Sequence, residues 1–222
     1  MFVQLIKKVS VQEIKKTYVI ATLVKEYALK DAEYMGMVTR EEYLKLLVKA
    51  KKKAVSMSNM AMDRLIIKRY GGKRRRLDAF MAMQWYEAIV QTKDVGIWRG
   101  AGGLPIAWTE GSLASTARLV KKALKSKDKT IRMRARRALP GIMGHLEVIK
   151  NEKYLRPIVF THDTGTRGRK HLPEYKLLGD IDDGCMRSVA MAVGGDPNLH
   201  VYFGVPRSSV NNLLKPLKKP NK

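Results

Sequence analysis

The chain has a single cysteine, Cys185, among its 222 residues. No disulfide can close within it, and zinc sites built on two or more cysteines are excluded. Histidine is scarce as well. His145, His162, His171 and His200 are scattered, and none forms the helical pair of an HExxH motif. Acidic residues number only 20 against 44 Lys and Arg, a formal net charge of +24. No uninterrupted apolar run approaches the ~20 residues that span a bilayer. The apolar stretch at the N-terminus is shorter than a signal peptide requires, and no small-residue cleavage site follows it. These absences predict a soluble chain that is not secreted and is retained in the cytoplasm or inside a virus particle.

What is present is a large excess of positive charge on an otherwise globular composition. Apolar residues make up 45% of the chain, enough for a core that needs no staple. An excess of one sign repels itself in the compact state and is usually matched by a partner of the opposite sign. Nucleic acid, DNA or RNA, is the commonest such partner. An acidic protein and an anionic membrane are the others. No segment joins bulky aromatics to a basic face, which argues against the membrane.

The charge is uneven. Residues 1–150 carry 32 basic and 13 acidic residues, and residues 151–222 carry 12 and 7. Secondary-structure signals change at about the same place. The expected fold class is α+β. A basic helical domain of about five helices over 1–150 precedes a small α+β unit over 151–214, with a short sheet and one helix, and a flexible basic tail over 215–222.

Ser10 to Glu13 and Thr39 to Glu42 each fit a capping box, opening helices toward Lys30 and Tyr70. The second is a single helix or a broken pair, and Gly71-Gly72 ends it. Leu77, Phe80, Met81, Trp85, Ala88 and Ile89 make one stripe at helical spacing, which predicts a third helix over 77–91. A loop from Asp94 to Gly111 follows. A fourth helix spans 112–126. A fifth, capped by Asp128, ends or kinks at Pro140, and a short helix extends toward Lys150. In the second half, 157–160, 175–178 and 199–203 read as strands. Asp182 or Asp183 is placed to cap a helix through Cys185–Val193, terminated by Gly194-Gly195.

Two basic clusters stand out. Lys73, Arg74, Arg75 and Arg76 follow two glycines at a helix junction, with Arg64, Lys68 and Arg69 just before them. Arginine forks take phosphate oxygens two at a time, so such a turn suits a phosphate backbone. From Arg118 to Arg137 there are ten basic residues and one acid, Asp128. Lys121, Lys122 and Lys125 share a helix face opposite Val120 and Leu124, and Arg118 belongs to the same helix. In the next helix Lys129, Arg132, Arg134, Arg136 and Arg137 are basic, leaving Ile131, Ala135 and Ala138 for the core. Solvated helix faces usually interleave both signs, and these do not. A third group, Arg167, Arg169 and Lys170, lies in a glycine-containing basic stretch.

The run from Asp128 through Ile131, Arg132, Ala135 and Ala138 to Leu139 resembles the second helix of a HEAT repeat. The preceding helix, with Leu119, Ala123 and Leu124, would be its partner. The likeness covers about 30 residues with no second copy at a repeat period. It implies a helical hairpin with that local packing, not family membership. A helix-turn-helix would place the same two helices similarly.

Trp98, Gly100, Gly102, Gly103 and Trp108 make a Gly-Trp loop with neither a Walker ending nor a GxGxxG fingerprint, so no nucleotide cofactor is implied. The two tryptophans are expected to pin the loop to the core, with stacking of an exposed Trp98 on a base as the alternative. Asp180, Asp182 and Asp183 follow the expected second strand of the C-terminal unit. Carboxylates there can hold Mg2+ in a nuclease, with His162, Asp163 or Lys176 in support, but a turn and helix cap accounts for them too.

The reading is a non-catalytic nucleic-acid-binding protein that contacts the phosphate backbone through basic helices and loops, without metal or cofactor. The alternatives are a self-associating structural component of a viral or nucleoprotein particle, and a Mg-dependent nuclease built on the 180–183 aspartates.

Overall fold

The computed structural model describes residues 3–31, 39–69, 71–139, 145–161 and 176–209. Strand β1 (Val3–Val9) leads into helix α1 (Val11–Asp31), where the Ser10 hydroxyl accepts from the Glu13 amide at 3.1 Å. Helix α2 (Arg40–Val55) opens on a complete capping box between Thr39 and Glu42. It breaks at Ser56–Ser58, and α3 (Asn59–Arg69) begins with the Ser58 hydroxyl accepting from Ala61. The amides of Gly71 and Gly72, both at positive φ, close α3 on the carbonyls of Lys68 and Ile67, a glycine termination of the expected kind.

Helix α4 (Arg75–Ala82) runs straight into strand β2 (Met83–Gln91), and β3 (Val95–Ile97) follows a tight turn. Helices α5 (Leu113–Leu124), α6 (Lys129–Ala138) and α7 (Leu146–Asn151) lead to β4 (Ile158–Thr161). Then come β5 (Gly179–Asp183), α8 (Cys185–Val193) and β6 (Asn198–Pro206). The strands form one six-stranded mixed sheet in the order β1-β2-β6-β4-β5-β3. The β6–β4 and β5–β3 pairs are parallel, and the others are antiparallel.

This corrects the expected fold class. The protein is α+β, but its sheet is not short, and helices do not precede strands. The two are interleaved, and the sheet takes three strands from before residue 150 and three from after it. The segment 77–91 departs furthest from the expected fold, with α4 giving way to β2 at Met83. Its stripe fits helical spacing through Phe80, yet from Met83 the chain is rich in aromatic and aliphatic residues that are buried on both sheet faces. Trp85, Tyr86, Ala88 and Val90 are all buried. A strand covered on both sides reads as a near-continuous apolar run, so period alone does not separate it from a buried helix. β1 carries Lys7 and Lys8 and is mostly exposed or half-exposed, and β3 has only three residues, so neither shows the apolar alternation of a strand in sequence.

Residues 176–178, expected in a strand, precede β5 instead. The strand is Gly179–Asp183 and runs through the aspartates, and α8 is capped by Gly184 at φ 87° without a side-chain bond. The expected strands at 157–160 and 199–203 form, as β4 and the longer β6. Pro140 and Tyr175 lie outside the described residues.

One face of the sheet carries Trp85, Phe160 and Tyr202 against α1 and α4, with α2 and α3 packed on α1. Phe80 of α4 stacks on Phe160 at 5.9 Å between ring centroids and meets Trp85 and Tyr18 edge-on. The Trp85 indole donates to the Phe80 carbonyl at 2.8 Å, which meets the need of a buried N–H. The Tyr202 hydroxyl donates to Glu13 at 2.9 Å, joining β6 to α1. On the other side α5 and α8 pack on one another, and α6 packs on α5.

Candidate nucleic-acid interface

The described residues divide the sequence-predicted cations into three groups. The most coherent lies on α5. Ser112 caps the helix by accepting from the Ser115 amide at 3.2 Å. Leu113, Thr116, Ala117, Val120 and Ala123 are buried, as the apolar pattern requires. With those positions turned inward, Arg118, Lys121, Lys122 and Lys125 are left exposed on the other side. All four line one open groove of about 430 Å³ between α5 and the turn joining α8 to β6. Ala114 and Ala117 from α5, Thr92, Ala192 from the end of α8, and Gly195, Asp196 and Pro197 from the turn complete its lining. Asp196 is the acid in this lining, and Lys150 holds its carboxylate at 3.1 Å.

The hairpin partner α6 is capped as expected, with Asp128 accepting from the amides of Thr130 and Ile131. Lys129, Arg134 and Arg136 are exposed. Arg132 is half-buried and engaged locally, donating to the Ser126 carbonyl at 2.7 Å. It thereby satisfies a carbonyl near the end of α5. Ile131, expected in the core, is 38% exposed, while Ala135 is fully buried. The side chain of Arg137 lies outside what is described, as do Arg167, Arg169 and Lys170.

The second cluster is split. Arg64, Lys68, Arg69, Lys73, Arg74 and Arg75 are exposed around the α3–α4 turn, with Arg74 at 3.6 Å from Asp78. Arg76 belongs elsewhere: it is 1% exposed and forms an ion pair with buried Asp182. Its guanidinium lies 5.1 Å from the Tyr18 ring centroid and 5.8 Å from that of Phe80. A side chain enclosed in this way cannot reach a phosphate strand. The residue was misread because four consecutive basic residues look alike in sequence, and only the start of α4 at Arg75 turns the last one inward. This α4 site lies across the sheet from the α5 groove.

The same pair accounts for one candidate metal-binding aspartate. Burial pushes the Asp182 carboxyl well above the usual carboxylate range, and the charge on Asp183 adds to the rise. Arg76 is the ion-pair partner of Asp182. Asp183 is 3.0 Å from the Arg187 guanidinium, which also donates to the Leu155 carbonyl. Asp180 is half-exposed. Among the described residues, no group of three or more His, Cys, Asp or Glu is placed to hold a metal ion. His162 and Asp163 lie outside them.

A second ion network was not anticipated. Glu87 on β2 meets Arg156 at 2.7 Å and Lys7 of β1 at 3.4 Å. Burial pushes its carboxyl up, and the two cations outweigh that and hold it below its ordinary value. Glu87 lies inside the misassigned helix, so its strand neighbours were invisible in sequence. Trp98 and Trp108 are half-buried and pack on the core, as expected of residues that pin a loop.

No family model, curated protein or solved structure matches this chain. Among the described residues, no helix is long and apolar enough to cross a membrane.

Proposed function

We propose that this is a non-catalytic nucleic-acid-binding protein that holds the phosphate backbone in the α5 groove. The observation that carries the reading is the convergence of Arg118, Lys121, Lys122 and Lys125 on one open concavity. Four cations at one place, with their one acidic neighbour engaged by Lys150, make a strongly positive surface. The exposed cations of α6, which packs on α5, add to the positive charge of this part of the molecule. The turn at Lys73, Arg74 and Arg75 supplies a second, separate basic surface. Neither the aspartates nor any other group in the described structure favours the metal-dependent alternative, because arginines occupy Asp182 and Asp183.

The test is a salt titration of binding to labelled single- and double-stranded DNA and RNA. The comparison is a variant with Arg118, Lys121 and Lys125 changed to alanine. Each phosphate contact removed lowers the slope of log K against log salt by about 0.7–0.9, so the variant slope should be shallower by about 2–3. Absence of binding to every polymer at ~50 mM salt overturns the proposal, since non-specific phosphate attraction is strong there.

A further inference from the structure

Resting on that reading, we infer that the α5 groove takes a single strand of nucleic acid and discriminates against the duplex. The charge in the groove is one-sided. Arg118, Lys121 and Lys125 recur at i, i+3 and i+7, a row about 10 Å long on one wall, and Lys122 flanks it. The opposite wall comes from the end of α8 and the turn after it. The last carbonyls of α8 already accept from the amides of Gly194, Gly195 and Asp196, and the Asp196 carboxylate is held by Lys150 at 3.1 Å, so the lining on this side adds no cation to receive phosphate. The remaining surface of that wall, Ala192, Gly195 and Pro197, is uncharged.

A single strand has the matching asymmetry, with phosphates along one side and sugars and bases along the other. Its phosphates would follow the α5 row, and its less charged side would face Ala192 and Pro197. A duplex presents two phosphate rows, separated across the minor groove by about 6 Å. The second row would meet a wall whose lining has no cation to receive it, only the Lys150–Asp196 pair and the end of α8. The described lining holds no aromatic side chain, so bases have no stacking platform there and sequence preference should be weak.

The decisive comparison uses the full chain, a 15-nucleotide single strand and the duplex of the same sequence, at one salt concentration. Single-strand binding at least tenfold tighter is expected. Equal affinity, or tighter duplex binding, overturns the inference while leaving the proposed function standing. Absence of binding to both overturns the proposed function itself. The second arm replaces Asp196 with Lys, and separately with Asn in case the lysine disturbs the turn. Either change releases Lys150 from its ion pair and makes this wall positive, so duplex affinity should rise several-fold more than single-strand affinity. A parallel rise in both would show that Asp196 is not the discriminating group and would also overturn the inference. Circular dichroism and thermal melting of each variant identify any that has failed to fold.

Discussion

The guanidinium of Arg76 and the carboxyl of Asp182 meet in the interior, joining the first turn of α4 to the end of β5. Removing one partner of a buried pair leaves the other charge uncompensated, which costs about 3–5 kcal/mol. Arg76→Met should therefore lower the urea midpoint sharply. The loss should deepen with pH. The folded pKa of Asp182 is raised, so the folded state binds more protons than the unfolded state above the ordinary carboxylate pKa. Stability then falls as pH rises toward the folded value, and it should do so more steeply in the variant. Unfolding at pH 5 and pH 8 checks this. The double variant Arg76→Met with Asp182→Leu should recover most of the loss.

The neighbouring cations should behave in the opposite way. Lys73, Arg74 and Arg75 are exposed, and surface substitutions away from special contacts change stability by about 0.5 kcal/mol or less. Changing all three to alanine should leave the melting temperature almost unmoved. If the turn contacts phosphate, the same variant should bind with a shallower salt slope. Thermal melting and anisotropy titration on one preparation separate the two effects.

Tyr18 packs over the Arg76 guanidinium, and burial raises its phenol to about 12, partly opposed by the positive charge of Arg76. Its folded pKa lies above its unfolded value near 10. Its contribution to stability is therefore intact below pH 10 and is lost as pH climbs toward 12. Two pKa units correspond to about 2.7 kcal/mol. Tyr18→Phe should show a weaker loss of stability between pH 9 and pH 11.5 than the natural chain, measured by urea unfolding.

Gly204 lies opposite Trp85 in the β2–β6 pair. A Cβ at that position would come within 2.7 Å of two carbons of the indole. The ring is fully buried between Phe80 and Phe160 and cannot yield easily. Gly204→Ala should cost about 1–3 kcal/mol, the usual range for overpacking. Calorimetric melting provides the measure, with reduced near-UV dichroism from the displaced tryptophan as a second sign.

The capping box at Thr39, the glycine terminations and the apolar face of α5 were legible because they are local, whereas Glu13, expected to complete a box with Ser10, accepts from the Tyr202 hydroxyl. Thr39 with Glu42, Ser112 and Asp128 each need only the next turn of chain to act. The exposure of Arg118, Lys121, Lys122 and Lys125 follows from the same local pattern, since burial of Leu113, Ala117 and Val120 fixes the side they occupy.

The groove was not legible, because its second wall comes from Asp196 and Pro197, far along the chain. Nor was the fate of Arg76, whose inward position depends on Asp182 and Tyr18. The change from helix to strand at Met83 was decided by pairing with β1 and β6, since an apolar run buried on both faces satisfies either period. The sequence by itself determined the amount of charge, the helix ends and the inward faces, which depend on neighbours within a few residues. The tertiary structure alone decided which cations share a surface and which one is buried, because those outcomes depend on contacts between distant segments.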